Sequence, residues 1–357
     1  MNKKSIHVVH ILPTLGFGGA ERYVVDLVNN SSSNFRYTLI VFFDRIDFGA
    51  EIISSRVQIK KVLKNSKLGI GFIFKLRKVL RKLRPDIINT HLFAGDFWGR
   101  LAARPLGIPV LTTEHNMNDA EGWIKNSLRS VMKNYSNEYV ACSNFVREYA
   151  QKRYGITKPF SVIYPGVVTK RFKNISPLTF HNPMRLLLLG RLTPQKGQEF
   201  ALRALAGLNF PLFLSIVGEG EDKEYLQNLV KELKIGDWVT FLPPTREVES
   251  LYQETDVLLV PSIWEGFGMV AAEALSAGRL VVASAVGGLK EIIRDAKTGF
   301  LFKKMDQESF RNTLNYICRN KKMAMQITFK GREFVEDNFA VEKMVEKYEE
   351  IYRRLKK

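Results

Sequence analysis

Strand-length apolar runs alternate with segments of helical periodicity from one end of this sequence to the other. In the first half, strands are predicted at residues 6–12, 37–43, 86–91, 110–114 and 138–142. Helices are predicted at residues 21–28, 72–83, 96–103 and 144–154. This alternation is typical of a parallel sheet covered by helices on both faces.

The second half of the chain repeats the pattern. Strands are predicted at residues 185–189, 212–217, 239–241, 257–260, 280–283 and 300–302, and helices from residue 197 and at 223–233 and 269–275. Turn-forming residues cluster between Pro165 and Pro183. The predicted domains are therefore residues 1–170 and 171–340. An amphipathic helix at 341–357 could pack back on the N-terminal domain or against the other one.

The predicted fold class is α/β, with two Rossmann-like, doubly wound domains that face each other across a cleft. Ligands of such sheets bind beyond the carboxyl ends of the strands, so the loops at those ends are where binding residues are expected. A chain of 357 residues with 45% hydrophobic residues is long and apolar enough for two cores.

Positive charge is concentrated in the first half. Residues 1–175 contain 28 Lys and Arg against 12 Asp and Glu, which gives a net charge of +16, whereas residues 176–357 contain 26 against 24, which gives +2. Eleven basic residues and no acidic one lie between Glu51 and Asp86. This asymmetry indicates an extended anionic partner, and nucleic acid and anionic lipid both fit.

Neither a membrane span nor a signal peptide is expected. No apolar run approaches the roughly 18 to 20 residues that cross a bilayer, and the basic start leads into a glycine-rich loop rather than a cleavage-like site. Cys142 and Cys318 are too few for a disulfide framework, so we expect core thiols in a reducing compartment.

A glycine-rich turn, Gly16-Phe17-Gly18-Gly19-Ala20-Glu21, follows the first predicted strand and opens a helix. Backbone N–H groups at such a helix start can bind an anion or a polar sugar. The third glycine of a dinucleotide fingerprint is missing, so an ordinary strand-to-helix turn is an equal alternative. Gly18 and Gly19 are the candidate binding residues of this turn.

Two basic residues lie in the run Gly190-Arg191-Leu192-Thr193-Pro194-Gln195-Lys196-Gly197, after the first strand of the second half. Arg191 and Lys196 suit a diphosphate, whose oxygens become more negative as the bond to a sugar breaks. The alternative is a solvated basic loop.

The run from Pro261 to Met269 and the helix after it carry two carboxylates. Glu265 lies in the loop after a predicted strand, and Glu273 lies in the second turn of the helix. Because carboxylates accept hydrogen bonds from vicinal hydroxyls, Glu273 suits a ribose and Glu265 a transferred sugar. Both are expected to meet the ligand rather than the core, although Glu273 could be a surface helix residue. The turn Phe267-Gly268-Met269 offers N–H groups of the helix start.

These runs together resemble glycosyltransferase family 4. The matches are Gly18 to Glu21, Gly190-Arg191-Leu192 with Lys196-Gly197, Val217 to Gly220, the glutamates at 265 and 273, Tyr164 to Val167, Asp256 to Ser262, and Val286-Gly287-Gly288 with Glu291. They follow the family's order over most of the chain. The resemblance implies a GT-B fold, a retaining reaction, a nucleoside-diphosphate sugar donor, and no cofactor or catalytic metal.

The resemblance also assigns roles to residues. It implies that Arg191 and Lys196 bind the diphosphate, that Glu273 binds the ribose, and that Glu265 meets the donor sugar. The N–H groups of Phe267, Gly268 and Met269 would serve the sugar and the phosphate.

Two histidines are further candidates. His115, in Thr113-Glu114-His115-Asn116, matches the histidine that the family places against the donor sugar, so Glu265 and His115 are the candidate catalytic residues. A structural histidine is the alternative. His91 lies at the end of a neighbouring predicted strand and is a candidate for acceptor contact.

A basic amphipathic helix is predicted at residues 72–83. Lys75, Lys78, Arg81 and Lys82 alternate with apolar residues in helical spacing. Each Lys or Arg near an anionic leaflet contributes about 1 kcal/mol, so the helix is expected to hold the protein on an anionic membrane surface. An ordinary solvated helix face is the alternative.

The expected function is transfer of a hexosyl or N-acetylhexosaminyl group, from a UDP-sugar by preference, to a lipid-linked or glycan acceptor. The reaction would take place in the cytoplasm, peripherally on the inner membrane face, as in surface polysaccharide, lipopolysaccharide or glycan biosynthesis. A GT-B-fold sugar-nucleotide epimerase would explain the diphosphate site but not the basic helix. A nucleic-acid-binding protein would explain the charge, but no recognition motif is present, so no nucleic-acid partner is expected.

Overall fold

The computed structural model describes residues 5–64, 70–117 and 122–356. The chain divides into two compact units, one formed by Met1–Gly166 with Val341–Lys357 and the other by Val167–Ala340. We call them the N-terminal unit and the C-terminal unit. Each contains one parallel sheet with helices between its strands.

Seven parallel strands form the sheet of the N-terminal unit within the described residues. They are β1 (Ile6–Leu12), β2 (Phe35–Val41), β3 (Val57–Lys61), β4 (Ile87–His91), β5 (Val110–Glu114), β6 (Glu138–Ala141) and β7 (Phe160–Val162). Their order is β3-β2-β1-β4-β5-β6-β7.

The sheet of the C-terminal unit has six parallel strands. They are β8 (Met184–Leu189), β9 (Leu212–Val217), β10 (Val239–Leu242), β11 (Val257–Val260), β12 (Leu280–Ser284) and β13 (Phe300–Phe302). Their order is β10-β9-β8-β11-β12-β13.

Thirteen α-helices lie among the described residues. They are α1 (Gly19–Asn30), α2 (Ile70–Leu83), α3 (Leu92–Ala103), α4 (Trp123–Val131), α5 (Asn144–Tyr154), α6 (Gln198–Leu205), α7 (Lys223–Glu232), α8 (Val248–Gln253), α9 (Met269–Ser276), α10 (Leu289–Ile292), α11 (Gln307–Arg319), α12 (Lys321–Phe339) and α13 (Val341–Lys356).

The central strands are apolar because helices cover both faces of each sheet. Every residue of β4, β5, β11 and β12 is buried, as expected of strands inside a parallel sheet.

The predicted fold class, α/β with two Rossmann-like doubly wound units, is confirmed. The strand predicted at 37–43 begins and ends two residues earlier, at Phe35 and Val41. Cys142 is a buried thiol as predicted, whereas Cys318 is only partly buried.

Strand order reverses once near the middle of each sheet. The reversal lies between β1 and β4 in the N-terminal unit and between β8 and β11 in the C-terminal unit. The loops that follow two neighbouring strands diverge at such a switch point, which leaves a crevice at the carboxyl edge of the sheet. The glycine-rich turn follows β1, and the runs with Arg191 and Glu265 follow β8 and β11.

The C-terminal helix α13 belongs to the N-terminal unit. It packs against α1, β1 and β4, and the rings of Tyr348 and Tyr352 on its inner face are fully buried. The hydroxyl oxygen of Tyr348 lies 2.8 Å from that of Tyr23, and the hydroxyl oxygen of Tyr352 accepts a 2.9 Å hydrogen bond from Nδ2 of Asn89. The last helix of the chain therefore completes the core of the first unit.

We expect Tyr348→Ala to lower the free energy of unfolding of the N-terminal unit by about 3 to 5 kcal/mol, because it opens a cavity in the core. Chemical denaturation followed by circular dichroism measures this loss. Tyr316→Ala is the matched control, because the Tyr316 side chain on α11 is 50% exposed, and its expected loss is under about 1 kcal/mol. Equal losses in the two variants would contradict the burial of Tyr348.

Candidate functional site

Two loops of the C-terminal unit are joined at its switch point. The N–H of Ile263 donates to the carbonyl oxygen of Gln195 at 2.8 Å, and Nε2 of Gln195 donates to the carbonyl oxygen of Trp264 at 3.1 Å. Gly197 has a φ of +68°, and a Cβ there would lie 2.1 Å from the carbonyl oxygen of Pro261. Glycine at 197 therefore lets the loops after β8 and β11 touch.

An ion pair connects these two loops. Nζ of Lys196 lies 2.6 Å from Oε2 of Glu265, and the same carboxylate oxygen accepts a 3.2 Å hydrogen bond from the Ser262 hydroxyl. The side chains of Lys196 and Glu265 are 20% and 12% exposed, so water screens their attraction only partly. The sequence assigned one to the diphosphate and the other to the sugar, and the structure pairs them with each other.

Arg191 adds a second positive charge to the loop after β8. Its side chain is exposed, and its carbonyl oxygen accepts a 2.8 Å hydrogen bond from Nε2 of Gln198. Within the described part of the chain, its guanidinium has no ion-pair partner. One basic residue of the predicted diphosphate site is thus already paired, and the other faces solvent.

The start of α9 lies beside Glu265. Gly268, the N-cap residue, has a φ of +108° and makes no side-chain cap. A Cβ on it would be 3.6 Å from Cγ of Glu265. Phe267 is buried and packs edge-on against Phe339 at 5.4 Å. The helix that begins at Met269 therefore directs its positive end to the neighbourhood of the ion pair.

Glu273 faces inward, not toward solvent. It is only 9% exposed, and the buried hydroxyl of Tyr252 donates to its Oε2 at 3.2 Å. Burial, with the Glu273 charge as the next cause, raises the pKa of Tyr252 well above its ordinary value. The expectation that Glu273 meets only the donor and not the core was wrong, because a tyrosine 21 residues earlier in the chain is its partner. Its contact with a ribose stays a prediction.

The side-chain carboxylate of Glu21 lies against the glycine-rich turn of the N-terminal unit. Gly18 is the N-cap of α1, and a Cβ there would lie 2.4 Å from Oε2 of Glu21. Oε1 of Glu21 accepts a 3.0 Å hydrogen bond from the Thr14 hydroxyl. A negative charge at this helix start disfavours a second anion, so Gly18 and Gly19 fit a polar sugar better than a phosphate.

Three histidines form a hydrogen-bonded row in the N-terminal unit. Nδ1 of His10 lies 2.9 Å from Nε2 of His91, and Nδ1 of His91 lies 2.9 Å from Nε2 of His115. Burial lowers the pKa of His10 and of His115 to about 3, and burial also lowers that of His91. All three rings are therefore neutral near pH 7.

The row changes the interpretation of His91. His91 has no exposed surface, so the structure favours support of His115 over direct contact with an acceptor. His115 itself is partly exposed, and Tyr23 packs edge-on against it at 5.1 Å. His10 was not among the predicted site residues, because its place in β1 beside Asn89 of β4 follows from a strand register that the sequence does not reveal.

A buried group of four charges, also missed from the sequence, adjoins His115 through Glu114. Nη1 of Arg129 lies 2.9 Å from Oε2 of Glu114 and 3.6 Å from Oδ2 of Asp96, and Nη2 of Arg100 lies 3.8 Å from the same Asp96 oxygen. All four are at most 4% exposed. Burial raises the pKa of Asp96 above its ordinary value. The spacing of Asp96 and Arg100, four residues apart on one helix, could have indicated half of this group.

Helix α2 presents the predicted basic face. Lys75, Lys78, Arg81 and Lys82 are exposed, whereas Phe72, Leu76 and Leu80 are buried in the core. Phe74, on the exposed side, is 61% exposed. The helix therefore combines positive charge with one exposed aromatic ring.

No described helix has both the length and the apolar character that crossing a bilayer requires. Among the described residues, no three or more His, Cys, Asp or Glu side chains are grouped so as to hold a metal ion.

Comparisons with known proteins agree on one class of enzyme. Residues 17–171 match the family described as Glycosyltransferase Family 4, and residues 170–334 match Glycosyl transferases group 1. An uncharacterized glycosyltransferase of Haemophilus influenzae is 27% identical over 286 residues, which are 78% of this chain and 79% of the relative. A D-inositol 3-phosphate glycosyltransferase of Acidothermus cellulolyticus is 31% identical over 250 residues, which are 60% of this chain and 56% of the relative.

The fold is shared with solved structures. The crystal structure of Anabaena Alr3699/HepE in complex with UDP and glucose matches with a TM-score of 0.84 at 20% identity, over 98% of this chain and 100% of that chain. The similar sequences are glycosyltransferases, so neither an epimerase nor a nucleic-acid-binding protein is favoured. This chain is a glycosyltransferase of the GT-B type.

Proposed function

We propose that this glycosyltransferase moves a hexosyl or N-acetylhexosaminyl group from a UDP-sugar to a lipid-linked or glycan acceptor, with retention of configuration. The observation that carries the donor half of the proposal is the Lys196–Glu265 ion pair at the switch point of the C-terminal unit. It lies on the same two loops as exposed Arg191 and the start of α9. The presence of UDP and glucose in the Anabaena structure supports the choice of donor.

In the proposed complex, Arg191 and Lys196 neutralise the diphosphate. Their charges count most as the bond to the sugar breaks, because the leaving phosphate oxygen then becomes more negative. The N–H groups at the start of α9 provide further donors for an anion. Lys196 shifts its contact from Glu265 toward the phosphates, which leaves the Glu265 carboxylate available to the hydroxyls of the sugar.

Three assignments enter the proposal from the family resemblance. Glu273, held by Tyr252, is proposed to bind the ribose. His115 is proposed to meet the donor sugar, together with the turn at Gly18 and Gly19. The reaction is proposed to proceed without a catalytic metal.

The acceptor half of the proposal rests on charge. The exposed basic residues of α2 and the exposed ring of Phe74 suit the surface of an anionic leaflet. Each Lys or Arg there contributes about 1 kcal/mol to the free energy of membrane binding. A lipid-linked acceptor would then be concentrated at the N-terminal unit. We place the enzyme in the cytoplasm, peripherally on the inner membrane face, in surface polysaccharide, lipopolysaccharide or related glycan biosynthesis.

For the donor site, we expect Arg191→Ala to weaken UDP binding about tenfold or more, because a hydrogen bond to a charged group contributes about 1.5 to 3 kcal/mol. Glu265→Gln should reduce kcat about 100-fold or more and change UDP affinity little. Isothermal titration calorimetry and a transfer assay measure these effects.

The matched control for the donor site is Lys231→Ala, which removes an exposed charge from α7. It should change neither UDP affinity nor turnover. Unchanged UDP affinity in Arg191→Ala, or unchanged turnover in Glu265→Gln, would remove that residue from the donor site.

For the membrane surface, we expect the protein to sediment with phosphatidylglycerol vesicles but not with neutral ones. Replacing Lys75, Lys78, Arg81 and Lys82 by Gln should reduce this binding roughly 100- to 1000-fold. Binding by the parent should also fall with added salt, because exposed charges are screened beyond about 10 Å at 0.1 M.

The control for the membrane experiment removes four positive charges from the C-terminal unit. In it, Gln replaces the exposed residues Lys303, Lys304, Lys322 and Lys330. It should bind vesicles as the parent does, and both variants should keep the parent's affinity for UDP. Equal loss in the two quadruple variants would indicate a general charge effect and contradict a docking role for α2.

A further inference from the structure

The histidine row of the N-terminal unit continues into the C-terminal helix. The hydroxyl oxygen of Tyr352 on α13 lies 3.3 Å from Nε2 of His10 and 2.9 Å from Nδ2 of Asn89. Oδ1 of Asn89 in turn accepts a 3.0 Å hydrogen bond from the Thr113 hydroxyl. Thr113, Asn89, Tyr352, His10 and His91 are all fully buried, so water does not compete for these bonds.

The hydrogen bonds of the row have one direction. The Asn89 amide nitrogen can only donate, so the Tyr352 oxygen accepts from it. Nε2 of His10 is then the acceptor within reach of the single Tyr352 proton, and a buried O–H without an acceptor would cost about 1 to 3 kcal/mol. A neutral imidazole carries one N–H, so His10 then donates from Nδ1 to Nε2 of His91. His91 likewise donates from Nδ1 to Nε2 of His115.

We propose that Tyr352 is a positioning residue that fixes the tautomer of His115 through His10 and His91, so that His115 carries its proton on Nδ1. Nε2 of His115 is occupied as an acceptor, and Nδ1 is left to donate. His115 therefore offers a hydrogen-bond donor to an oxygen atom of a ligand, such as a sugar hydroxyl, and does not accept a proton there. The consequence for transfer rests on the proposed function, whereas the tautomer does not.

Helix α13 thereby has a role beyond packing. Its Tyr352 hydroxyl is the first donor in the series of hydrogen bonds that runs through His10 and His91 to His115. Neutral rings are required, because a charged imidazole would donate from both nitrogens. Burial supplies this condition by lowering the pKa of His10 and His115 to about 3.

The test is nitrogen NMR of protein labelled with ¹⁵N-histidine, without any donor. The chain has five histidines, and the signals of His115 are identified by their loss in His115→Gln. We expect Nδ1 of His115 to be protonated and Nε2 to be unprotonated in the parent. A parent ring with its proton on Nε2 would overturn the proposal.

Tyr352→Phe keeps the buried ring and removes only the hydroxyl. We expect the His115 signals to move to a mixture of tautomers, and kcat to fall to the fraction of rings that keep the proton on Nδ1, about twofold for an equal mixture, with UDP affinity unchanged. His10→Phe breaks the row one bond closer to His115 and should have the same effect. Thermal unfolding checks that both variants are folded.

Tyr348→Phe is the matched control on the same helix. Its hydroxyl contacts Tyr23 and Thr113 but none of the histidines, so the His115 tautomer and kcat should stay as in the parent. An unchanged tautomer in folded Tyr352→Phe overturns the proposal, whereas a changed tautomer with unchanged kcat overturns the role of the Nδ1 proton in transfer. A parent without any transferase activity would instead refute the proposed function, and the tautomer result would still stand.

Discussion

Because the described strands of each sheet are parallel, the loops that follow them lie at one edge of that sheet. The residues of the donor-site candidate in the C-terminal unit and the three histidines of the N-terminal unit are brought together by this constraint. In the C-terminal unit the reversal of strand order between β8 and β11 brings the loops with Lys196 and Glu265 together. In the N-terminal unit the ends of β1, β4 and β5 bring together His10, His91 and His115. Neither group is contiguous in sequence, so the sheet alone assembles it.

In the proposed donor site, the Lys196–Glu265 pair would hold an ammonium group in place for the diphosphate. A lone ammonium held among partly buried groups loses hydration, and the nearby carboxylate offsets that loss. A diphosphate with two or more negative charges is a stronger partner than one carboxylate, so it can take over the contact. The close approach at Gly197, where any side chain would meet the carbonyl oxygen of Pro261, lets the two loops that carry this pair touch.

Periodicity in the sequence predicted the buried strands and the fold class because these depend on local apolar runs. It missed β3, in which three of the five residues Val-Gln-Ile-Lys-Lys are polar, and β7, which has only three residues. Both are edge strands, where one side lacks a neighbour and the apolar signal weakens. It also missed the helices α4, α8, α10, α11 and α12. With α4 it missed the contact of Arg129 with Glu114.

Contacts between residues that are far apart in the sequence could not be predicted from it either. Glu273 is buried and not a surface helix residue, and its bond to Tyr252 depends on the position of α8 beside α9. The row from Tyr352 to His115 joins four segments of the chain, and only the register of β1 with β4 and the docking of α13 bring them within reach. Motifs thus named more of the residues that meet at the sheet edge of the C-terminal unit than of those that meet in the N-terminal unit.

Amide hydrogen exchange of the full chain with and without UDP tests the central claim, that the C-terminal unit holds the donor through the loops after β8 and β11. Binding should slow exchange at residues 190–197 and 261–273, because ligand contacts and the closed loops suppress local opening. Exchange in α2 should not change. Protection confined to the N-terminal unit, or none at saturating UDP, would contradict the claim.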